Sequence, residues 1–264
     1  MTTMDPCLTL YYPKYEINPK VFLEEYFSQH VPFSMLKEST INMQRCFYKA
    51  FKSGLVSGKT LIDFSVGPII MHLISVCEFF EEISILKVND ATIKEFELWK
   101  NKDPKAFDWA QTSKFFMELK QLSSDGWKEE EESLRGKIKE ILKLDLCSDD
   151  LLNSLPKFDC ATSVWGLETI SKDHEDFRRN LRKLNKLVKI GGHLLCYADV
   201  NSSYFKIGKD KFHLLPCDES FYRKVISEEG FEIKHYENLE KLMDSGIVDH
   251  EKVVFIVAQK VREA

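Results

Sequence analysis

Short, continuous apolar runs alternate along this chain with longer stretches whose apolar residues have helical spacing. The clearest pair is an apolar run that ends at Asp63, then a break with Gly67 and Pro68, then an apolar helical pattern to Ser75. This order predicts a strand, a tight turn and a helix, with Pro68 in the helix's first turn, where a missing N–H costs nothing. The crevice between such a strand end and helix start binds ligands in α/β folds, so we expect the site there.

The same alternation continues through the rest of the chain and indicates an α/β fold. Strands are predicted at residues 60–63, 83–88, 142–146, 158–164, 193–200, 231–236 and 253–259, and helices at 19–52 (two or three), 69–75, 91–101, 173–188 and 219–229. Strands that alternate with helices form a mostly parallel sheet, here of seven strands, with helices on both faces.

The chain is expected to form a single domain over residues 1–264, because a chain of 264 residues is long enough for one sizeable core. Residues 1–15 lack periodicity and are interpreted as an arm, so that 1–55 hold the arm and the first helices. Residues 56–264 would then form the α/β core, with a mostly helical insertion at about 107–142.

Composition narrows the classes of partner and compartment. With 44% hydrophobic and 30% charged residues and a net charge of −5, the chain is typical of a globular protein, and nucleic acid or an anionic membrane is not expected as a partner. Since an apolar run of membrane-spanning length and a signal sequence are both missing, the cytoplasm is the expected compartment. The seven cysteines are scattered without Cys-x-x-Cys spacing, which argues against disulfides or a metal site and favours buried thiols at Cys160 and Cys196.

Several short segments, met in order, carry a resemblance to a known family. They are residues 17–19 and 22–26, 61–63, 67–68 with 73–78, 104–109, 187–192, and 202–204 with 207–208. Over nearly its whole length the chain resembles the class I methyltransferases that use S-adenosylmethionine to methylate nicotinamide, indolethylamines, phenylethanolamine or thioethers. The resemblance implies a Rossmann-like fold, an N-terminal helical lid over the cofactor, and a monomer that acts on a small amine, pyridine or thioether. The lid aromatics could instead pack on the core, and this interpretation is favoured for Phe47 and Phe51.

The resemblance also implies where the cofactor would bind, and two positions there depart from the family pattern. The family's Gly-x-Gly loop falls at Ser65-Val66-Gly67, so a side chain stands where the first glycine would let the cofactor approach the backbone. The acidic residue that grips both ribose hydroxyls falls at Lys87. Losing two charge-assisted hydrogen bonds costs on the order of 2–5 kcal/mol of binding free energy.

The remaining cofactor positions differ mainly in losing polar groups. The family's tyrosines that face the cofactor's amino-acid end fall at Phe22, Phe27 and Met71, and a residue that offers an amide falls at Thr92. On the adenine side the family's pair falls at Asp145 and Leu146, and a residue with a hydroxyl falls at Val164. Only the adenine-side pair keeps the pattern. Two hypotheses follow: a working N-methyltransferase, or an inactive paralogue that binds a small apolar ligand or a protein partner.

The acceptor side, also by resemblance, would lie after the fifth strand. The family's acidic residue corresponds to Asp199, and its Ser-Ser-Tyr-aromatic segment includes Ser202, Tyr204 and Phe205. The acid is shifted by one residue from the family's position, and on a strand such a shift turns a side chain to the other face. Asp199 would orient an amine or cap a turn, and Tyr204 would contact the acceptor or pack against the lid. A neutral nitrogen or sulfur attacks with its own lone pair, so no catalytic base is assigned.

Overall fold

A computed structural model describes residues 9–264 of the chain, and nine strands lie in this part. They are β1 (Thr60–Asp63), β2 (Glu82–Lys87), β3 (Ile138–Lys143), β4 (Phe158–Val164), β5 (Val188–Val200), β6 (Tyr204–Ile207), β7 (Asp210–His213), β8 (Phe231–Glu240) and β9 (Lys252–Lys260).

The α-helices of the same residues are α1 (Pro19–Phe27), α2 (Phe33–Leu36), α3 (Asn42–Lys52), α4 (Met71–Val76), α5 (Asp90–Lys100), α6 (Ala110–Leu119), α7 (Trp127–Lys137), α8 (Asp150–Ser154), α9 (Leu167–Ile170), α10 (His174–Leu187) and α11 (Glu219–Glu228). A π-helical turn, Lys37–Ile41, joins α2 to α3. Such turns are rare and often lie at functional sites.

Seven strands form one mixed sheet in the order β3-β2-β1-β4-β5-β9-β8. The first five strands pair in parallel, while β9 is antiparallel to both β5 and β8. Helix α10 packs against β4 and β5, and α5 packs against β2 and β3. The expected mostly parallel seven-stranded sheet is therefore confirmed.

Local sequence explains where the key helices begin. Asn18 is the N-cap of α1, where its side chain accepts hydrogen bonds from the amides of Lys20 and Val21 and Pro19 occupies the first turn. Asp173 caps α10 in the same way through the amide of Asp176. The basic outer side of α10 makes ion pairs with neighbouring carboxylates, as a surface helix should.

The arm and one hairpin differ from expectation. Residues 1–8 of the predicted arm, with Pro6 and Cys7, lie outside the described residues. Leu10 is buried and exchanges backbone hydrogen bonds with β7, the second strand of a β6–β7 hairpin that the sequence pattern did not predict. The arm therefore packs from residue 10 onwards and runs toward the end of β1.

Two predicted boundaries are also wrong. Helix α4 begins at Met71, so Pro68 lies in the turn before it rather than in its first turn. The third strand occupies Ile138–Lys143 instead of 142–146, and the helical insertion ends at Lys137. This strand lies at the sheet edge, where only Ile138 is buried, so its apolar pattern is weak.

Candidate functional site

A buried polar cluster lies at the carboxyl end of β1, where the ligand crevice was expected. The side chain of Asp63 is inaccessible to solvent. Its Oδ1 accepts hydrogen bonds from Ser65 Oγ (2.6 Å) and Thr162 Oγ1 (2.8 Å) and lies 2.7 Å from His72 Nε2. Ser65 Oγ in turn accepts the amide of Val164. Ser65 thus holds the ends of β1 and β4 together.

Lys87, at the end of β2, points into this cluster. Its Nζ donates to the Ser65 carbonyl (2.7 Å) and to Asp63 Oδ2 (3.3 Å), and only 2% of the residue is exposed. Burial lowers the pKa of Lys87, and Asp63 opposes that change. Burial alone would raise the pKa of Asp63, but Lys87 and His72 hold it well below its usual range. Lys87 and Asp63 therefore form a buried ion pair.

The glycine of the loop after β1 is covered by an aromatic ring and a tyrosine. Gly67 has a φ of +57°, and a Cβ at this position would lie 2.4 Å from the ring of Phe22. The amide of Gly67 donates to the hydroxyl of Tyr12 (3.1 Å), which lies 3.3 Å from Thr92 Oγ1. About 210 Å³ of space remains beside Tyr12, Ser65 and Lys87.

Four other predicted cofactor residues do not line the space beside Lys87: Met71, Val164, Asp145 and Leu146. Met71 and Val164 are fully buried in the core. Asp145 is exposed and accepts the amide of Cys147, while the carbonyl of Leu146 accepts Lys183 Nζ.

A larger cavity of about 670 Å³ lies between the N-terminal helices, the ends of β4 and β5 and the segment before β9. Its apolar wall is Phe22, Tyr26, Phe27, Met35, Val66, Trp165, Phe205, Leu214, Met243, Val248 and Val253, and its polar wall is Glu38, Ser39, Thr169, Asp199, Ser245 and His250. The predicted residues Phe22, Phe27, Val66, Asp199 and Phe205 thus share one cavity.

Two buried carboxyls lie near the inner wall. Asp199 Oδ1 accepts the indole N–H of Trp165 (2.9 Å), so Asp199 does not cap a turn. Burial raises the pKa of Asp199 to about 6, and His250 opposes this rise. Glu168 lies behind the cavity wall, where its Oε1 accepts a long hydrogen bond from the amide of Asp199 (3.4 Å). Burial, together with the charge of Asp199, raises the pKa of Glu168 to about 8.

A second polar group lies across the cavity. His250 Nε2 is 2.8 Å from Glu38 Oε1, an ion-pair distance, although the N–H does not point straight at the oxygen. The π-helical turn brings Glu38 and Ser39 to this wall. The other Glu38 oxygen accepts the amide of Leu242 (2.6 Å).

Within the Ser-Ser-Tyr-aromatic segment, Phe205 is the residue that lines the cavity. Ser202 Oγ donates to Asp249 Oδ1 (2.9 Å), which also accepts the amides of Ser203 and Tyr204. Tyr204 is half-buried under Lys211, whose Nζ lies 3.8 Å from the ring centre. Asp249 therefore organises this segment, and Ser202 is engaged by a protein carboxylate.

Sequence reasoning missed several residues of the site, among them Tyr12, Glu38, Trp165, Glu168 and His250. Glu168 carried a signal, since it is a lone acid in an apolar stretch after the fourth strand. The others carried none, because their neighbours in the site come from distant parts of the chain. A cluster of His, Cys, Asp and Glu that could hold a metal ion is not found within residues 9–264. In that same part, no helix combines the length and the hydrophobicity needed to cross a membrane.

Comparison with solved structures identifies the fold. Magnesium protoporphyrin IX methyltransferase from Synechocystis PCC 6803, solved with bound SAM, aligns with a TM-score of 0.57 at 10% identity over 98% of this chain and 99% of its own. A SAM-dependent methyltransferase from Methanosarcina mazei aligns with a TM-score of 0.54 at 14% identity over 81% of this chain and 97% of its own. The chain therefore has the α/β class I methyltransferase fold.

Comparison with known sequences identifies the family. Human nicotinamide N-methyltransferase is 32% identical over 246 residues, which cover 92% of this chain and 93% of the relative. Rabbit indolethylamine N-methyltransferase is 29% identical over 92% of each chain, and human phenylethanolamine N-methyltransferase is 30% identical over 82% of this chain and 79% of its own. The NNMT/PNMT/TEMT family model matches residues 9–261. The chain therefore belongs to the NNMT/PNMT/TEMT family of SAM-dependent small-molecule N-methyltransferases.

Proposed function

We propose that this family member does not bind S-adenosylmethionine, and that it binds a small, mostly apolar molecule in the 670 Å³ cavity. The observation that carries the proposal is the position of Lys87, whose ammonium group lies at the strand end where the family holds its cofactor and is paired there with Asp63. The function is then ligand binding on a methyltransferase scaffold.

Electrostatics support the proposed loss of S-adenosylmethionine binding. The sulfonium of S-adenosylmethionine is a cation, and Lys87 places an ammonium group, paired with Asp63, at the position where the family has an acid. Nearby Asp90 is exposed and paired with Lys143, so it does not replace the missing ribose partner. Missing charge-assisted hydrogen bonds of this kind weaken binding by about a hundredfold or more.

Packing supports the same conclusion. The Phe22 ring lies against Gly67, so the backbone face that a cofactor would approach is covered by a protein side chain. The space beside Lys87 is about 210 Å³, compared with about 670 Å³ in the neighbouring cavity. Apolar walls that carry a few polar groups are typical of small-molecule sites.

Calorimetry tests this proposal. We expect no saturable binding of S-adenosylmethionine or its demethylated product to the wild-type protein up to about 1 mM, since the anchors are missing. The Phe22→Ala/Lys87→Asp variant, which uncovers Gly67 and restores an acid, is expected to gain measurable binding of both.

Micromolar binding of S-adenosylmethionine to the wild-type protein would contradict the proposal and favour methyl transfer to a small amine, pyridine or thioether. A folded double variant that binds neither S-adenosylmethionine nor its demethylated product would show that Lys87 and Phe22 do not block the site. A cytoplasmic monomer remains our expectation, which gel filtration and microscopy of the tagged protein can check.

A further inference from the structure

We infer that residues 241–245 form a strap that opens and closes the large cavity, and that Glu38 holds this strap closed. The inference rests on the proposed ligand-binding function, because it concerns how a small molecule reaches the cavity. The strap lies in the segment that joins β8 to β9, so it is a different element from the N-terminal helical lid that the family resemblance implies.

The strap is a single layer of chain between the cavity and solvent. Met243 and Ser245 line the cavity, while Leu242 and Asp244, which alternate with them along the chain, are exposed. Leu242 is 40% exposed, a large fraction for an apolar side chain. Outward movement of these residues would therefore open the cavity wall directly to solvent.

Few hydrogen bonds attach the strap to the rest of the protein. In the described part of the chain, the backbone of the strap makes no hydrogen bond with other backbone groups. Its ties across the cavity are the amide of Leu242, which donates to Glu38 Oε2 (2.6 Å), and the Ser34 hydroxyl, which lies 3.0 Å from Met243 Sδ. A thioether sulfur is a weak acceptor, so the bond from Leu242 is the stronger of the two.

The chain is anchored on both sides of the strap. Before it, β8 ends at Glu240, which pairs with Lys252 of β9. After it, the Gly246 carbonyl accepts Lys206 Nζ (3.0 Å), and the Ile247 carbonyl accepts the amide of Lys206 (2.8 Å). Gly246 has a φ of +69°, a conformation that glycine adopts readily, so it suits a hinge. Movement is therefore confined to the strap.

Glu38 is itself fixed and so provides a firm attachment for the strap. It lies in the π-helical turn, is 7% exposed, and its backbone carbonyl accepts the hydroxyl of Tyr197 (2.7 Å). Its Oε1 lies 2.8 Å from Nε2 of His250, which is buried just before β9. One carboxyl group thus contacts the chain on both sides of the hinge, at Leu242 and at His250. Glu38 is a positioning residue in this arrangement.

Alkylation of a thiol placed inside the cavity measures how often the strap opens. The variant Ser39→Cys supplies this thiol, because Ser39 lines the cavity and its hydroxyl has no hydrogen-bond partner within residues 9–264. Iodoacetamide is small and neutral, and peptide mass spectrometry reads its reaction at position 39 separately from other sites. Cys147 is exposed and reports the reactivity of the reagent in the same sample. We expect labelling at position 39 to be much slower than at Cys147.

Glu38→Ala, made together with Ser39→Cys, is expected to speed labelling at position 39 about tenfold, the effect of one lost hydrogen bond. Glu38→Gln keeps an acceptor oxygen for the Leu242 amide and should restore slow labelling. Leu242→Pro removes the donor instead and should act as Glu38→Ala does, whereas Leu242→Ala keeps the amide and should not. Glu25→Ala is the matched control, because Glu25 accepts the amide of Gly208 (2.8 Å), which is not part of the strap.

Glu38→Ala and Leu242→Pro remove the same bond from its two sides, so either one decides if the other does not fold. Unchanged labelling at position 39 in a folded variant of this pair would overturn the inference. Equal acceleration by Glu25→Ala, or labelling at position 39 as fast as at Cys147 before Glu38 is changed, would overturn it as well. The labelling involves neither S-adenosylmethionine nor a cavity ligand, so its failure is distinct from a failure of the proposed function, which calorimetry reports.

Discussion

Replacement of Lys87 by methionine is expected to lower the free energy of unfolding by about 3–5 kcal/mol. Methionine fills a similar volume, but it leaves Asp63 as a buried carboxylate without its ammonium partner. Breaking one side of a buried pair costs more than the pair contributes, because the remaining charge is both desolvated and unpaired. Urea unfolding followed by circular dichroism measures the change.

Two controls make this expectation specific. Lys59 forms an exposed pair with Glu81, so Lys59→Met should leave the free energy of unfolding nearly unchanged. The double variant Asp63→Asn/Lys87→Met removes both charges and should recover part of the loss. A single Lys87→Met variant as stable as the wild-type protein would show that the pair does not hold the crevice closed.

Replacement of Glu168 by glutamine is expected to stabilise the protein at pH 8, by about 2 kcal/mol or more. Burial raises the pKa of Glu168 from 4.5 to about 8, so the folded protein keeps a proton there that the unfolded chain has lost. The contribution of Glu168 to stability therefore falls as pH rises from about 4.5 to about 8, at up to about 1.4 kcal/mol per pH unit. Glutamine does not titrate and removes this loss.

Urea unfolding at pH 5, 6.5 and 8 distinguishes this effect from a general gain. The difference between Glu168→Gln and the wild-type protein should grow with pH across that window. Glu232→Gln, at an exposed site paired with Lys234, should leave the pH dependence unchanged. An equal slope in the wild-type protein and Glu168→Gln would mean that Glu168 is ionised in the folded protein.

The central strands could be predicted from sequence, whereas the edges could not. Strand β4 is buried nearly throughout, so its apolar run matched the observed Phe158–Val164 without error. Strand β3 is half-exposed and its position depends on pairing with β2, which a local pattern does not encode. The β6–β7 hairpin depends in the same way on the arm, through the bonds of Leu10 with Lys211 and His213.

The site shows the same division between local and long-range information. The sequence alone could predict that Lys87 lies at a strand end and that it places a positive charge where the family has an acid. That its Nζ turns onto Asp63 and the Ser65 carbonyl depends on packing across the sheet. Glu38 and His250 lie at opposite ends of the chain, and only the closed fold places their side chains 2.8 Å apart.

The place of β9 in the sheet has a consequence for biosynthesis. This strand, the last one in the described chain, lies between β5 and β8 and pairs with both. While the ribosome is still translating residues before 252, neither β5 nor β8 can pair with β9. The edge of β5 that faces away from β4 then presents unsatisfied amides and carbonyls. Premature termination upstream of this strand should therefore yield insoluble product, and the nascent protein should depend on chaperones until β9 emerges.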